Sequence, residues 1–261
     1  MGGCGKWVAG LAAAEKALGG TVFPAPLGTV SKAKPDGSWK HRLIQDLRAI
    51  RVNAAVALPE RLVLPRPLDH ALGLAELSAG RGSDEDLAIG IVDFADAFMS
   101  VPLASSERRF NCAELPEGLR RGRRALHAEE PEVGQLIVCR VLGFGGRPNP
   151  LVFGRVTAAL MRAAQALLTT RTDFGQSAGG RSRREGCAGP FAAAVFRLHL
   201  YVDDAVAAFR GRWDDITEAF DLMLILWLVL GAPVAWPKVS LEAFGGETPS
   251  CWIGVDFDLT S

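Results

Sequence analysis

The sequence predicts an α+β fold, an antiparallel sheet with helices packed on one face. Three observations lead there. Short apolar runs of strand length recur at Leu87–Phe94, Leu136–Val141, Phe196–Val202, Ala205–Phe209 and Cys251–Leu259. Two longer segments with helical periodicity stand among them, one opening at Asn149-Pro150 and one at Asp215. A tight turn, Asp203-Asp204, joins two of the strands. The order strand, helix, strand-turn-strand, helix, strand suits such a sheet.

Each element follows from its residues. Residues 1–30 are rich in Ala and Gly and give little signal. From Thr29 to Asn53, a Pro35-Asp36-Gly37 turn between apolar flanks predicts a hairpin leading into a short element. Pro59–Ala79, punctuated by Pro65 and Pro67, ends in a helix, and Gly80–Asp86 is a loop. Leu87, Ile89, Ile91 and Val92 make a strand with Asp93 at its end. Glu114–Gly134 is charged, is broken by Pro116, Gly118 and Pro131, and reads as an inserted loop before the short strand Leu136–Val141.

Asn149 caps free amides and Pro150 tolerates the first helical turn. Val152, Val156, Ala159, Leu160, Ala163 and Leu167 then recur at helical spacing until near Thr169. Thr170–Pro190 is rich in Gly, Ser and Arg and reads as a mobile insertion. Beyond the Asp203-Asp204 turn, Asp215 with Glu218 resembles a capping box. It opens a helix marked by Ile216, Ala219, Phe220, Met223, Trp227 and Leu230, with Gly231 as its stop. The most apolar run, Leu222–Val234, is shorter than the roughly 20 residues a bilayer span needs, and reads as a buried helix.

Composition narrows the function classes. With 49 % apolar and 22 % charged residues, the 261-residue chain can bury a core, as one large domain or two interleaved subdomains. The 29 Lys and Arg balance 29 Asp and Glu, so the global basic excess of many nucleic-acid binders is missing. Basic charge gathers only locally, at Arg120-Arg121-Gly122-Arg123-Arg124 and Arg181-Ser182-Arg183-Arg184. Five scattered cysteines without a CxxC pair suggest neither a zinc site nor a disulfide framework. They fit a reducing compartment, cytoplasmic or nuclear. The N-terminus, with Lys6 and Glu15 in its apolar stretch, lacks the order of a secretory signal.

Three aspartates carry the candidate chemistry. Asp93 ends one strand, and Asp203-Asp204 occupies a hairpin turn. Adjacent strands lie about 4.8 Å apart, so pairing would bring these carboxylates to one sheet edge. Clustered carboxylates raise one another's pKa unless a cation sits among them. Mg²⁺ suits such a cluster because it prefers hard oxygen ligands and also binds substrate phosphates. Two such ions about 3.5–4 Å apart clamp the attacking and leaving oxygens of an in-line phosphoryl displacement. An Asp-Asp pair on a turn is in itself ordinary turn chemistry. Tyr201-Val202 directly before it, and apolar strands on both sides, lend it more weight.

On these residues the chain resembles the reverse transcriptases of retroviruses and retrotransposons. Tyr201-Val202-Asp203-Asp204 matches the family's YxDD motif. The segment Asp93-Phe94-Ala95-Asp96-Ala97-Phe98-Met99-Ser100-Val101-Pro102-Leu103 is similar to its first aspartate motif, which carries an aromatic five positions on. Leu142-Gly143-Phe144-Gly145, with Pro150 and Phe153, resembles the segment over the incoming nucleotide. Pro35-Asp36-Gly37, Arg42, Asp46-Leu47-Arg48 and Asn53 resemble the fingers signature. Leu230-Gly231 with Trp236 and Lys238 is similar to the later lysine motif. Trp252-Ile253-Gly254 resembles the start of the primer-grip hairpin. The six motifs stand in the family's order over Thr29–Phe257. Gly143 departs from the proline of many relatives, and the stretch from Asp93 to Asp203 is wide, a surplus the two expected loops absorb.

The resemblance implies the fingers and palm of a right-hand polymerase with the thumb largely absent. The implied layout is an N-terminal segment and fingers in 1–55, palm in 56–104, fingers in 105–147, and palm in 148–261 ending at the primer grip. It implies RNA-directed DNA polymerase activity, transferring a nucleotide from a dNTP to a primer 3′-hydroxyl on an RNA or DNA template, without a membrane. Asp93, Asp203 and Asp204 would hold two Mg²⁺ ions, with Mn²⁺ as a substitute. Asp96 and Ala97 would offer amides to the triphosphate, and Arg42 with Lys32 or Lys34 would grip its β- and γ-phosphates. Lys238 would protonate the pyrophosphate. Phe98 would exclude a 2′-hydroxyl, which favours DNA over RNA synthesis. Tyr201, Phe144 and Gly145 would lie on the substrate side, and Trp252, Ile253 and Gly254 on the primer. A thumb and RNase H would come from a longer polyprotein; without them duplex binding is expected to be weak. The alternative is a catalytically inactive relic that at most binds nucleic acid.

Overall fold

The computed structural model describes residues 6–34, 36–115, 136–169, 194–244 and 250–257. In chain order its first elements are β1 (Lys6–Ala9), α1 (Leu11–Leu18), β2 (Pro24–Ala25), β3 (Leu27–Ala33), β4 (Trp39–Gln45), α2 (Val52–Ala55), α3 (Pro67–Ala79), β5 (Asp86–Asp93), β6 (Cys112–Glu114) and β7 (Leu136–Cys139). Then come α4 (Asn149–Thr169), β8 (Val195–Tyr201), β9 (Asp204–Gly211), α5 (Trp213–Val229), β10 (Ser240–Ala243), β11 (Ser250–Trp252) and β12 (Val255–Phe257). The fold is mixed α+β. Both arginine runs, and the loops expected around them, lie outside the described residues except for Glu114, which belongs to β6, and Leu115.

The chain divides into two compact units. One comprises Met1–Leu62 and Asp96–Phe153, the other Val63–Ala95 and Gly154–Ser261.

In the first unit a four-stranded sheet runs in the order β1-β7-β6-β2. Helix α1 closes a small core of Ala14, Val22, Cys112, Leu136 and Val138. The Ala- and Gly-rich N-terminus, which gives little signal in the sequence, supplies β1 and α1. Beside this sheet stands the β3–β4 hairpin, in register from Leu27↔Gln45 to Ala33↔Trp39. Its turn is held as an aspartate turn should be: the Asp36 carboxylate accepts from the Ser38 amide at 2.9 Å, and Gly37 takes a φ of 79°.

The second unit is built on the antiparallel sheet β10-β5-β9-β8. Alternate residues of a strand face opposite sides, and here both sides are covered. On one, Leu87, Ile89, Val206 and Ala208 pack with Leu74 and Leu77 of α3 and with Trp252. On the other, Phe209 meets Phe196 and the Phe220 ring of α5. A Cβ on Gly90 would stand 2.6 Å from that Phe220 ring, so glycine is what lets α5 approach the strand. The expectation of helices on one face is thus corrected: β5 and β9 are apolar on both faces and each face takes a helix. Helix α4 has the length and a mean hydropathy of 1.3 that a membrane span would need. Its Leu160, Ala164 and Leu168 are buried, and the Leu160 carbonyl accepts from the Trp227 indole at 3.0 Å.

Two local expectations are also corrected. Helix α5 starts at Trp213, not at a capping Asp215; Asp214 and Asp215 lie in its first turn, where negative charge suits the helix dipole. The final segment is not one strand but the hairpin β11–β12, because Ile253 and Gly254 adopt φ of 46° and 81° and reverse the chain.

Candidate active site

The three aspartates are carried at one end of the second unit's sheet. Asp93, the last residue of β5, stands directly opposite Asp204, the first of β9. Asp204 is in turn opposite Tyr201 on β8. Side chains of residues opposite each other in an antiparallel pair lie on the same face, so the Asp93 and Asp204 carboxylates share a side of the sheet. Asp203 sits in the turn between β8 and β9, and its carbonyl accepts from the Phe94 amide at 3.1 Å. That bond fixes the turn to the strand end that carries Asp93.

The turn is strained. Val202 has a φ of 59°, a left-handed conformation that a β-branched side chain takes only under constraint. Here the constraint is the tight hairpin that closes Tyr201 onto Asp204. Beneath it, the Trp252 indole donates to the Asp204 carbonyl at 3.3 Å.

Charge at this edge is unbalanced. The Asp204 carboxyl is pushed above the usual carboxylate range, chiefly by burial and secondarily by the negative charge of Asp203. Asp93 is 8 % exposed, and its carboxylate forms an ion pair with the Lys238 ammonium. Lys238 reaches it from a short 3₁₀ turn, Trp236–Lys238, docked by main-chain bonds. Ala235 donates to the Asp93 carbonyl at 2.8 Å and Ala95 donates to the Pro233 carbonyl at 2.6 Å. Among the described residues, no three His, Cys, Asp or Glu side chains converge closely enough to hold one metal ion. In kind, the donor set suits Mg²⁺: hard carboxylate oxygens only, with mutual repulsion that a divalent cation would cancel.

A second constellation belongs to the first unit. Phe98 makes edge-on contacts with Phe144 at 5.5 Å and Phe153 at 5.4 Å. The Arg42 guanidinium lies over the Phe144 ring, 5.5 Å from its centre. Phe144 is joined to the β4 end through the Gln45 amide, which donates to its carbonyl at 2.9 Å. Gly145 has a φ of 117°, and a Cβ there would fall 2.0 Å from the Gln45 carbonyl oxygen, so no other residue fits. Asn53 completes the loop, donating to the Gly145 carbonyl and accepting from the Arg147 amide, both at 2.8 Å. Asp96 is exposed, with a φ of 50°, and Ala97 is buried.

Lys32, Lys34 and Arg42 are exposed on the β3–β4 hairpin. Register puts Lys32 opposite Lys40 and Val30 opposite Arg42. Lys32, Lys40 and Arg42 therefore share one face, and Lys34, opposite Ser38, continues the alternation. Lys40 was missing from the sequence reading, although counting alternate positions across the turn would have found it. The Asp93 partner of Lys238 was also missed. Of the expected primer-contacting residues, Trp252 is 1 % exposed and serves the core, while Ile253 and Gly254 form the hairpin turn. No protein-family model matches this chain, and no curated protein sequence matches it either.

Proposed function

We propose that this chain is the fingers-and-palm core of an RNA-directed DNA polymerase, which extends a primer 3′-hydroxyl with deoxynucleotides. The observation that carries the reading is Asp93 opposite Asp204 on paired strand ends, with Asp203 in the strained turn beside them. Ordinary turn chemistry accounts for Asp203-Asp204 alone. It does not account for a third, nearly buried carboxylate on the same edge, or for a left-handed valine holding the turn.

Asp93, Asp203 and Asp204 would hold two Mg²⁺ ions, with Mn²⁺ as a substitute, which supply charge neutralisation and a more acidic primer hydroxyl. The chain's own groups do the rest. Arg42 with Lys32 or Lys34 neutralises the β- and γ-phosphates through charge-assisted hydrogen bonds. The Asp96 and Ala97 amides orient the triphosphate. Phe98 fills the space a 2′-hydroxyl would need, held in orientation by Phe144 and Phe153. Lys238 is the proton donor to pyrophosphate. Tyr201, Phe144 and Gly145 border the substrate, and Ile253 and Gly254 are the primer-side turn.

The test is primer extension by the full chain with Mg²⁺ and dNTPs on RNA and DNA templates, against Asp203→Asn. Template-dependent extension that drops about 10²–10³-fold or more in the variant supports the reading, the scale on which removing a key electrostatic group acts. Extension equal in both proteins ends it, and leaves the chain as at most a nucleic-acid-binding module.

A further inference from the structure

We infer that Lys238 is a built-in counter-ion for Asp93, exchanged for a divalent cation when the site loads. The inference rests on reading the aspartates as cation ligands and adds a role to a lysine so far assigned only to the leaving group.

The contrast in exposure is the starting point. The Asp93 side chain is 11 % exposed, and that of Lys238 is 61 % exposed. A carboxylate so far removed from water is costly without a partner, whereas a lysine at the surface loses little by leaving one. The pair therefore serves the aspartate. Its geometry is not that of a chance surface contact, because the segment bearing Lys238 is fixed to the strand end bearing Asp93. The Phe94↔Val234 bridge, with the Ala235 and Ala95 amide bonds on either side, zips the two main chains together. Only the flexible lysine side chain lies between this anchored backbone and the carboxylate, so the ammonium is present at high effective concentration whenever the site is empty of other cations.

The same contact occupies a position that a divalent cation would use. The Asp93 oxygen nearest Lys238 is taken. Asp203 and Asp204 repel each other, which burial of Asp204 aggravates. A monovalent ammonium neutralises a single unit of the cluster's negative charge. A divalent cation shared by the cluster relieves more, but has to take the oxygen that Lys238 holds. Loading and release of Lys238 are thus one exchange, and the lysine is freed at the moment phosphates arrive with the metal. A lysine held back until then meets the leaving group only in a loaded site.

Metal affinity, not activity, is the direct readout. Binding of Mn²⁺ to the full chain, followed by electron paramagnetic resonance, is compared for wild type, Lys238→Met and Lys238→Arg. Removing the competing cation should tighten Mn²⁺ binding on the order of tenfold in Lys238→Met, and Lys238→Arg should match wild type. In an Asp93→Asn background, Lys238→Met should change nothing. Equal or weaker binding in Lys238→Met overturns the exchange while leaving the aspartates as ligands. Absence of Mn²⁺ binding in all three proteins overturns the ligand reading and the exchange with it. An unmutated chain supplies a second measurement: acetic anhydride labelling of Lys238, relative to the other lysines, should rise several-fold on saturation with Mn²⁺. Labelling that does not change also overturns the exchange.

Discussion

Asp204 is where the fold works against itself. Its carboxyl is half-buried beside Asp203, and both burial and that charge raise its pKa. A raised carboxyl pKa means that the ionised form destabilises the native state at neutral pH, and that this penalty disappears below the ordinary value of 3.8. Asp204→Asn should therefore raise the Tm at pH 7 when divalent cations are absent. The gain should vanish near pH 3.5, and primer extension should be lost; a lower Tm at pH 7 would contradict the electrostatic account. Phe98 poses a different question, since its contacts with Phe144 and Phe153 suit a core ring as well as a sugar gate. Phe98→Val separates the two roles. Ribonucleotide incorporation should rise relative to deoxynucleotide incorporation if the ring excludes a 2′-hydroxyl, and an unchanged ratio refutes the gate. At this scale the positions of Asp93 and Asp204 at strand ends, and of Asp203 in the turn between two strands, were legible from the apolar runs around them. The Lys238–Asp93 pair was not legible, because nothing local in either segment tells a loop lysine from a counter-ion.

At the scale of elements, the central strands and the two long helices were read from periodicity, but the N-terminal elements and the layering were not. The signal was present: Leu87 to Val92 and Ala205 to Phe209 are apolar without alternation, which is the mark of strands covered on both faces. What the sequence concealed is how the α3 face is finished. His70 of α3 is fully buried, its Nδ1 stands 3.4 Å from Nδ1 of His199 on β8, and its ring meets Trp252 and Phe257 of the terminal hairpin. Burial first, and then the His199 charge, push the His70 pKa down to about 4. His199 is lowered too, by burial first, while Asp69 opposes and Arg197 adds to the shift. For a histidine held below its unfolded value of 6.5, the unfolded chain binds the extra proton. The stabilisation is complete above pH 6.5 and is lost progressively as pH falls towards 4, by roughly 3 kcal/mol at most. Thermal melts between pH 7 and pH 4 should show this loss, and His70→Phe should flatten the profile across that window. An equally steep loss in the variant would place the acid sensitivity elsewhere.

For the whole molecule, the decisive quantity is a charge balance of 29 against 29. With no net attraction to a polyanion, nucleic-acid affinity has to come from where the cations are gathered. Among the described residues the plainest gathering is the face of the β3–β4 hairpin that carries Lys32, Lys40 and Arg42, with Lys34 beyond them. Composition could not reveal it, because the total cancels; only strand register puts these positions on one side. Like charges directly opposite each other, as Lys32 and Lys40 are, destabilise a strand pair unless an anion lies across them. If those four side chains supply the phosphate contacts under the polymerase reading, log K for a single strand should fall with log salt at a slope near −3, about −0.7 per contact. Replacing Lys32 and Lys40 together with alanine should reduce that slope by about 1.4 and weaken all sequences alike. Asp203→Asn should leave it unchanged under the same reading, in which that aspartate holds metal and not the strand. Fluorescence anisotropy of a labelled oligonucleotide, titrated at several salt concentrations, measures all three. A slope that ignores Lys32 and Lys40 would move the nucleic-acid contact off this hairpin.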